Sequence, residues 1–151
     1  MRLKHGHRLR KGRYSEPGRA YLITTVTHDR KSIFNDWRPG RLLVNEMRLA
    51  SEMELVESLA WVIMPDHMHW LITLRRASLS GLVHRVKARS AIAINRQQGT
   101  SGRFWQKGFH DRAIRAEEDL QMVARYIVAN PLRAGIIRHL GEYPLWDAIW
   151  L

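Results

Sequence analysis

Apolar and polar positions alternate with two different periods along this chain, and the switches between them mark out its elements. Residues 21–27 (YLITTVT) are β-branched and aromatic, the composition of a strand. A turn region follows through Asp29 and Asn35 to Pro39-Gly40. Over residues 41–55, Leu42, Leu43, Met47, Leu49, Ala50 and Met53 recur at the spacing of an amphipathic helix. Residues 58–64 (SLAWVIM) form a short apolar run that reads as a buried strand, and Pro65-Asp66 breaks it. His67–Leu74 (HMHWLITL) resumes as a second strand, so the two predict a hairpin. Residues 78–97 predict a second helix, with Leu79, Leu82, Val83, Val86, Ala91, Ile92 and Ile94 apolar and Ser78 or Ser80 as its cap. Residues 109–115 read as an edge strand. Residues 117–129 read as a third helix with Glu117, Glu118 and Asp119 in its first turn, where carboxylates favour the helix dipole. Asn130-Pro131 should end or kink that helix, and residues 132–151 are read as a tail.

The resulting order, β-α-β-β-α-β-α, predicts an α+β fold: a ferredoxin-like split βαβ sandwich with a central antiparallel sheet and helices on one or both faces. Ahead of that domain, residues 20–151, lies an arm of residues 1–19. It carries Arg2, Lys4, Arg8, Arg10, Lys11, Arg13 and Arg19 against one acid, Glu16. Such an arm either lies along phosphates or remains a solvated tail.

Charge narrows the partner. The 151 residues carry a formal net charge of +11, a field that favours a polyanion, with nucleic acid ahead of a membrane surface. The chain holds no cysteine, so disulfides and thiolate metal sites are excluded. No apolar run reaches the ~18 residues of a membrane span, and the basic N-terminus lacks the apolar stretch of a secretory signal. The expectation is a cytoplasmic protein without a membrane partner.

Three groups of residues are candidates for chemistry. His67 and His69 flank Met68 on a strand, so both imidazoles point to one face and Met68 to the other. They either share a divalent ion or occupy a solvated face. Tyr126 has Asn130 one helical turn on, beside Met122 at the margin of the stripe formed by Leu120, Val123 and Ile127. Its hydroxyl is either exposed or satisfied within a core. Arg103, Phe104, Trp105, Lys107, Phe109, His110 and Arg112 mix cations with flat rings, which suits stacking on single strands unless the aromatics are core.

Taken in order, these motifs resemble a known family. Val62-Ile-Met-Pro-Asp-His67-Met-His69-Trp-Leu is similar to the HUH motif of single-tyrosine transposases, two histidines flanking a bulky hydrophobe. Tyr126-Ile-Val-Ala-Asn130-Pro131-Leu-Arg133-Ala-Gly135 resembles that family's tyrosine helix. Gly18-Arg19-Ala-Tyr21-Leu-Ile-Thr and the block from Phe104-Trp-Gln to His110-Asp-Arg also match, so the likeness runs from about residue 18 to 146. The REP-associated tyrosine transposases are the branch it resembles most. Tyr143-Pro-Leu-Trp146-Asp147-Ala148 departs from that branch's Tyr-x-Trp-Ser-Ser-like ending.

The resemblance implies the same ferredoxin-like fold and a Mg²⁺ or Mn²⁺ ion held by His67, His69 and Asn130, the last in place of the glutamine usual in the insertion-sequence branch. It implies Tyr126 as nucleophile in a transesterification that leaves a 5′-phosphotyrosine link. Single-stranded or hairpin DNA would be the substrate, contacted by Arg8, Arg10, Lys11, Arg13, Arg19, Lys107 and Arg112. Two alternatives stay open: a catalytically silent regulator that binds DNA or RNA hairpins, and a metal-dependent hydrolase or ribonuclease that uses water. The oligomeric state, monomer or homodimer, is not legible.

Overall fold

The computed structural model describes residues 15–115 and 118–150. Five strands form one antiparallel sheet: β1 (Ala20–Val26), β2 (Val56–Met64), β3 (His67–Leu74), β4 (His110–Ala113) and β5 (Trp146–Ala148), in the order β4-β1-β3-β2-β5. The first four strands in that order are the split βαβ arrangement that the element pattern predicted. Helices α1 (Trp37–Glu52) and α2 (Leu79–Gln98) carry the two crossovers on one face. Helix α3 (Leu120–Val128) and the single turn α4 (Asn130–Arg133) lie on the other face. Among the described residues no helix is long and apolar enough to cross a membrane.

The caps explain most of the boundaries. Helix α1 begins four residues before the predicted start, because the Asp36 carboxylate accepts from Arg38 N at 3.0 Å. Pro39-Gly40 therefore lies inside the first turn rather than in a preceding loop, since N–H groups there have no intrahelical acceptor to lose. The loop before it holds two 3₁₀ turns, His28–Arg30 and Ile33–Asn35, the second burying Phe34. Helix α2 matches its prediction: Ser78 Oγ accepts from Gly81 N, and Gly99 closes the helix at φ 67°. Within its predicted apolar set, Ile92 faces solvent.

Helix α3 is shorter than expected. Asp119 is its N-cap, accepting from Gln121 N at 2.9 Å, instead of lying in the first turn. Glu118 stands outside the helix, and Glu117 lies outside the described residues. The helix ends at Val128 with Ala129 as its C-cap, just ahead of Asn130-Pro131, and α4 follows directly with Pro131 in its first turn, where the missing N–H costs no hydrogen bond.

The predicted tail holds the one strand the pattern missed. β5 pairs with β2 through Ala60↔Ala148, Trp61↔Asp147 and Val62↔Trp146. Just before it, Leu145 is 1% exposed and packs on Gly40 of α1, where an added Cβ would lie 2.5 Å from Leu145 Cδ1. Three residues are too few to show a period, so only the pairing reveals the strand. Two cores result. One joins α1, α2 and the loop at Phe104–Phe109 to Ile23, Ile63, Trp70 and Ile72; the other joins α3 and β5 to Leu59, Val62, Met64 and Leu71.

Candidate active site

Strand β3 spans His67–Leu74 as predicted, and its alternation decides the site's orientation. Met68 is 2% exposed in the α1/α2 core, so His67 and His69 face the α3 side. Their rings lie 5.0 Å apart, edge to face.

Each imidazole is held through its Nδ1. His67 Nδ1 donates to Asp66 Oδ1 at 2.7 Å, and Asp66 Oδ2 accepts from Arg30 Nη1 at 3.0 Å. Burial alone would raise the Asp66 carboxyl, but the hydrogen bonds from His67 and Arg30 hold it below its ordinary value. His69 Nδ1 shares a 2.7 Å hydrogen bond with Thr24 Oγ1 on β1, its register partner. Burial holds the His69 pKa down to about 4, and the charges of His67 and Arg133 add to the effect. With Nδ1 engaged on both rings, Nε2 is the ring nitrogen of each that no hydrogen bond among the described residues occupies. Imidazoles oriented from behind through Nδ1 are the donor set that a divalent transition ion or Mn²⁺ takes.

Register extends the histidine row across the sheet. His110 on β4 pairs with Thr24, Thr24 with His69, His69 with Val62 and Val62 with Trp146, so all five share one face. Thr24 and Asp66 are site neighbours that the spacing of motifs does not single out. Asp66 adjoins the histidine motif, whereas Thr24 becomes visible only once the register of β1 on β3 is known.

Helix α3 lies over this face through Ala124, Ile127 and Val128. Tyr126 is 65% exposed, which removes the alternative of a packed tyrosine. Asn130 follows one turn later and is half-buried. Arg133 Nη2 donates to Asn130 Oδ1, and the Arg133 guanidinium carbon lies 3.8 Å from the centre of the Tyr126 ring. The structure thus forms two groups on one face, the paired histidines and the Tyr126–Asn130–Arg133 cluster. Arg133 is the member of the second group whose charge bears on His69. Among the described residues no three His, Cys, Asp or Glu side chains converge as a metal site.

The candidate DNA contacts scatter. Arg8, Arg10, Lys11 and Arg13 lie outside the described residues. Arg19 sits just before β1, beside the Leu74 end of β3 and away from the histidines, and it pairs with Glu16 at 3.1 Å. Arg112, on edge strand β4, is paired with Glu118 at 3.0 Å. Lys107 is exposed in the loop before β4. The aromatics of that loop are core: Phe104, Trp105 and Phe109 are each at most 8% exposed, and Trp105 Nε1 donates to Ser90 Oγ. Lys87 pins the loop by donating to Gln106 O and Gly108 O at 2.8 and 2.7 Å. Burial pushes the Lys87 amine down to about 8, and the Arg103 charge adds to it.

Comparison with known proteins gives consistent findings. Residues 18–130 match the family model described as "Transposase IS200 like". A Haemophilus influenzae protein provisionally named a REP-associated tyrosine transposase is 29% identical over 143 residues, covering 84% of this chain and 78% of its own. The REP-associated tyrosine transposase of Escherichia coli is 29% identical over 87 residues, 56% of this chain and 50% of its own. Among solved structures, a REP-associated tyrosine transposase bound to a REP hairpin superposes with a TM-score of 0.70 at 24% identity, covering 89% of this chain and 79% of that one. At this identity the match speaks to the fold.

Proposed function

The chain belongs to the family of IS200-like transposases, and on that premise we propose that it nicks and rejoins single-stranded DNA at hairpins, with Tyr126 as nucleophile. The observation that carries this reading is an exposed phenol on a helix that covers the same sheet face as two imidazoles tied back through Nδ1. The DNA partner is supported by the net charge of +11 and by the relative that is bound to a REP hairpin.

In this reaction Tyr126 Oη attacks the scissile phosphorus, an O–P bond forms, and the bond to the 3′ oxygen breaks. The phenol gives up its proton, the departing 3′ oxygen takes one up to become a hydroxyl, and the 5′ end stays on the tyrosine as a phosphodiester that a second 3′-hydroxyl can attack. His67, His69 and Asn130 would hold Mg²⁺ or Mn²⁺, which when bound supplies positive charge at the phosphate. Thr24 and Asp66 orient the two rings, and burial keeps His69 unprotonated and able to donate its lone pair.

The test is a suicide oligonucleotide carrying a hairpin, incubated with Mn²⁺. The wild-type chain should form a covalent adduct. Tyr126→Phe should form none while binding the hairpin within a few fold, and adducts that persist in that variant remove Tyr126 from the reaction. His67→Ala with His69→Ala should also abolish cleavage in a folded protein.

A further inference from the structure

Tyr126, Asn130 and Arg133 stand four and then three residues apart, and Arg133 meets both of the others across the break between α3 and α4 at Ala129. Arg133 is exposed, and among the described residues no ion pair joins it to a carboxylate. Its guanidinium instead engages the two neighbours to which the proposed reaction gives work. It donates to the Asn130 amide oxygen and stacks on the Tyr126 ring. The oxygen it occupies is the atom through which an amide ligates a cation. A divalent ion on that oxygen would stand close to a positive charge, so occupancy by either one disfavours the other. A guanidinium lacking an acid partner beside a nucleophile is also suited to pair with a phosphate in two parallel hydrogen bonds.

We propose that Arg133 is a latch on the third ligand: without DNA it holds Asn130 Oδ1 against the cation, and with DNA it moves to the target phosphate and releases that oxygen. The inference rests on the reading of His67, His69 and Asn130 as ligands, and it adds an order of events. Cation affinity is lower until substrate arrives, so an unengaged tyrosine site loads less readily. Without DNA, Arg133 acts as a positioning residue, through Asn130 and Tyr126.

The test measures Mn²⁺ binding by electron paramagnetic resonance on the full chain, with and without an uncleavable hairpin oligonucleotide. Arg133→Met keeps most of the aliphatic stem and removes the charge and the fork. Without DNA it should bind Mn²⁺ roughly tenfold tighter than wild type, the size expected from releasing one charge-assisted hydrogen bond. In an Asn130→Ala background the same change should bring no gain. Arg133→Lys, which keeps charge without the fork, should fall between. Adding the oligonucleotide should bring wild type up to the Arg133→Met affinity. Three results would overturn the latch: unchanged or weaker Mn²⁺ binding in Arg133→Met, a gain that survives in Asn130→Ala and so reflects only the charge felt at His69, or a wild-type affinity that DNA leaves untouched. If His67→Ala with His69→Ala leaves Mn²⁺ binding unaffected, the ligand assignment itself fails. If those variants lose Mn²⁺ and Arg133→Met does not gain, the ligands stand and the latch falls.

Discussion

On one face of the sheet, two long helices seal a core in which Phe34, Leu43, Met47, Trp70 and Ile72 are at 2% exposure or less. On the other, a helix of nine residues covers a smaller patch and leaves Met122 and Tyr126 more than 60% exposed. The same strands serve both faces. β3 alternates between them, giving Met68, Trp70 and Ile72 to the first and His67, His69 and Leu71 to the second. The contrast teaches where stability and chemistry are placed. The thick layer buries large rings and fixes the strand; the thin layer inherits that rigidity and can leave polar groups facing a substrate.

The largest expected effect breaks the thick layer. Phe34→Ala should cost about 3–5 kcal/mol in urea unfolding, as large-to-small changes at buried aromatics do. A loss under about 1 kcal/mol would mean that Phe34 contributes little to the core. Next comes a change confined to the thin layer. Thr24→Val removes the hydroxyl behind His69 and should weaken Mn²⁺ binding roughly 10- to 100-fold, the usual effect of losing an orienting partner, with little change in the melting transition. Equal damage to both properties would erase the distinction between the layers.

Smaller, and separable by pH, is the contribution of His69. Its folded pKa of about 4 lies below the ordinary value of 6.5, so the unfolded chain takes up the proton first as pH falls. Stability from this group is whole above pH 6.5 and is lost progressively toward pH 4. His69→Gln should flatten that part of the stability profile, and a wild-type profile no steeper than the variant's over the upper part of that range contradicts the burial argument. The smallest effect is Tyr126→Phe on stability, about 0.5 kcal/mol or less, because the ring stays and the hydroxyl is exposed.

Much of the thick layer is legible in the order of residues. His67–Leu74 places Met68, Trp70, Ile72 and Leu74 on one face at a period of two, between a Pro-Asp turn and Arg75, and α2 carries Ser78 and Gly99 as its own punctuation. The site is harder to read, for physical reasons. His67 and His69 share a face by strand geometry alone, but the partners of their Nδ1 atoms depend on the register of β1 on β3, a long-range pairing that no local window contains. Tyr126 at the edge of an apolar stripe is compatible with burial or exposure, and only the docking angle of α3 decides between them. The aromatics at Phe104, Trp105 and Phe109 resemble a stacking surface and are core, because Lys87 ties their loop down onto α2. Arg133 escapes notice because it lies beyond the Asn130-Pro131 break, in the separate turn α4, where only its contacts with Tyr126 and Asn130 show what it does.

The seating of Leu145 on Gly40 offers a route to a conditional allele. A methyl at Gly40 would meet Leu145 Cδ1, Cδ2 and Cγ at 2.5, 2.9 and 3.3 Å, so the whole buried side chain would have to shift. Leu145 O accepts from Ile63 N, and Ile63 precedes Met64, the register partner of His67. Gly40→Ala would therefore loosen the histidine strand from the far side of the molecule and give a protein that works when cool and fails when warmed, with every reactive group left as found.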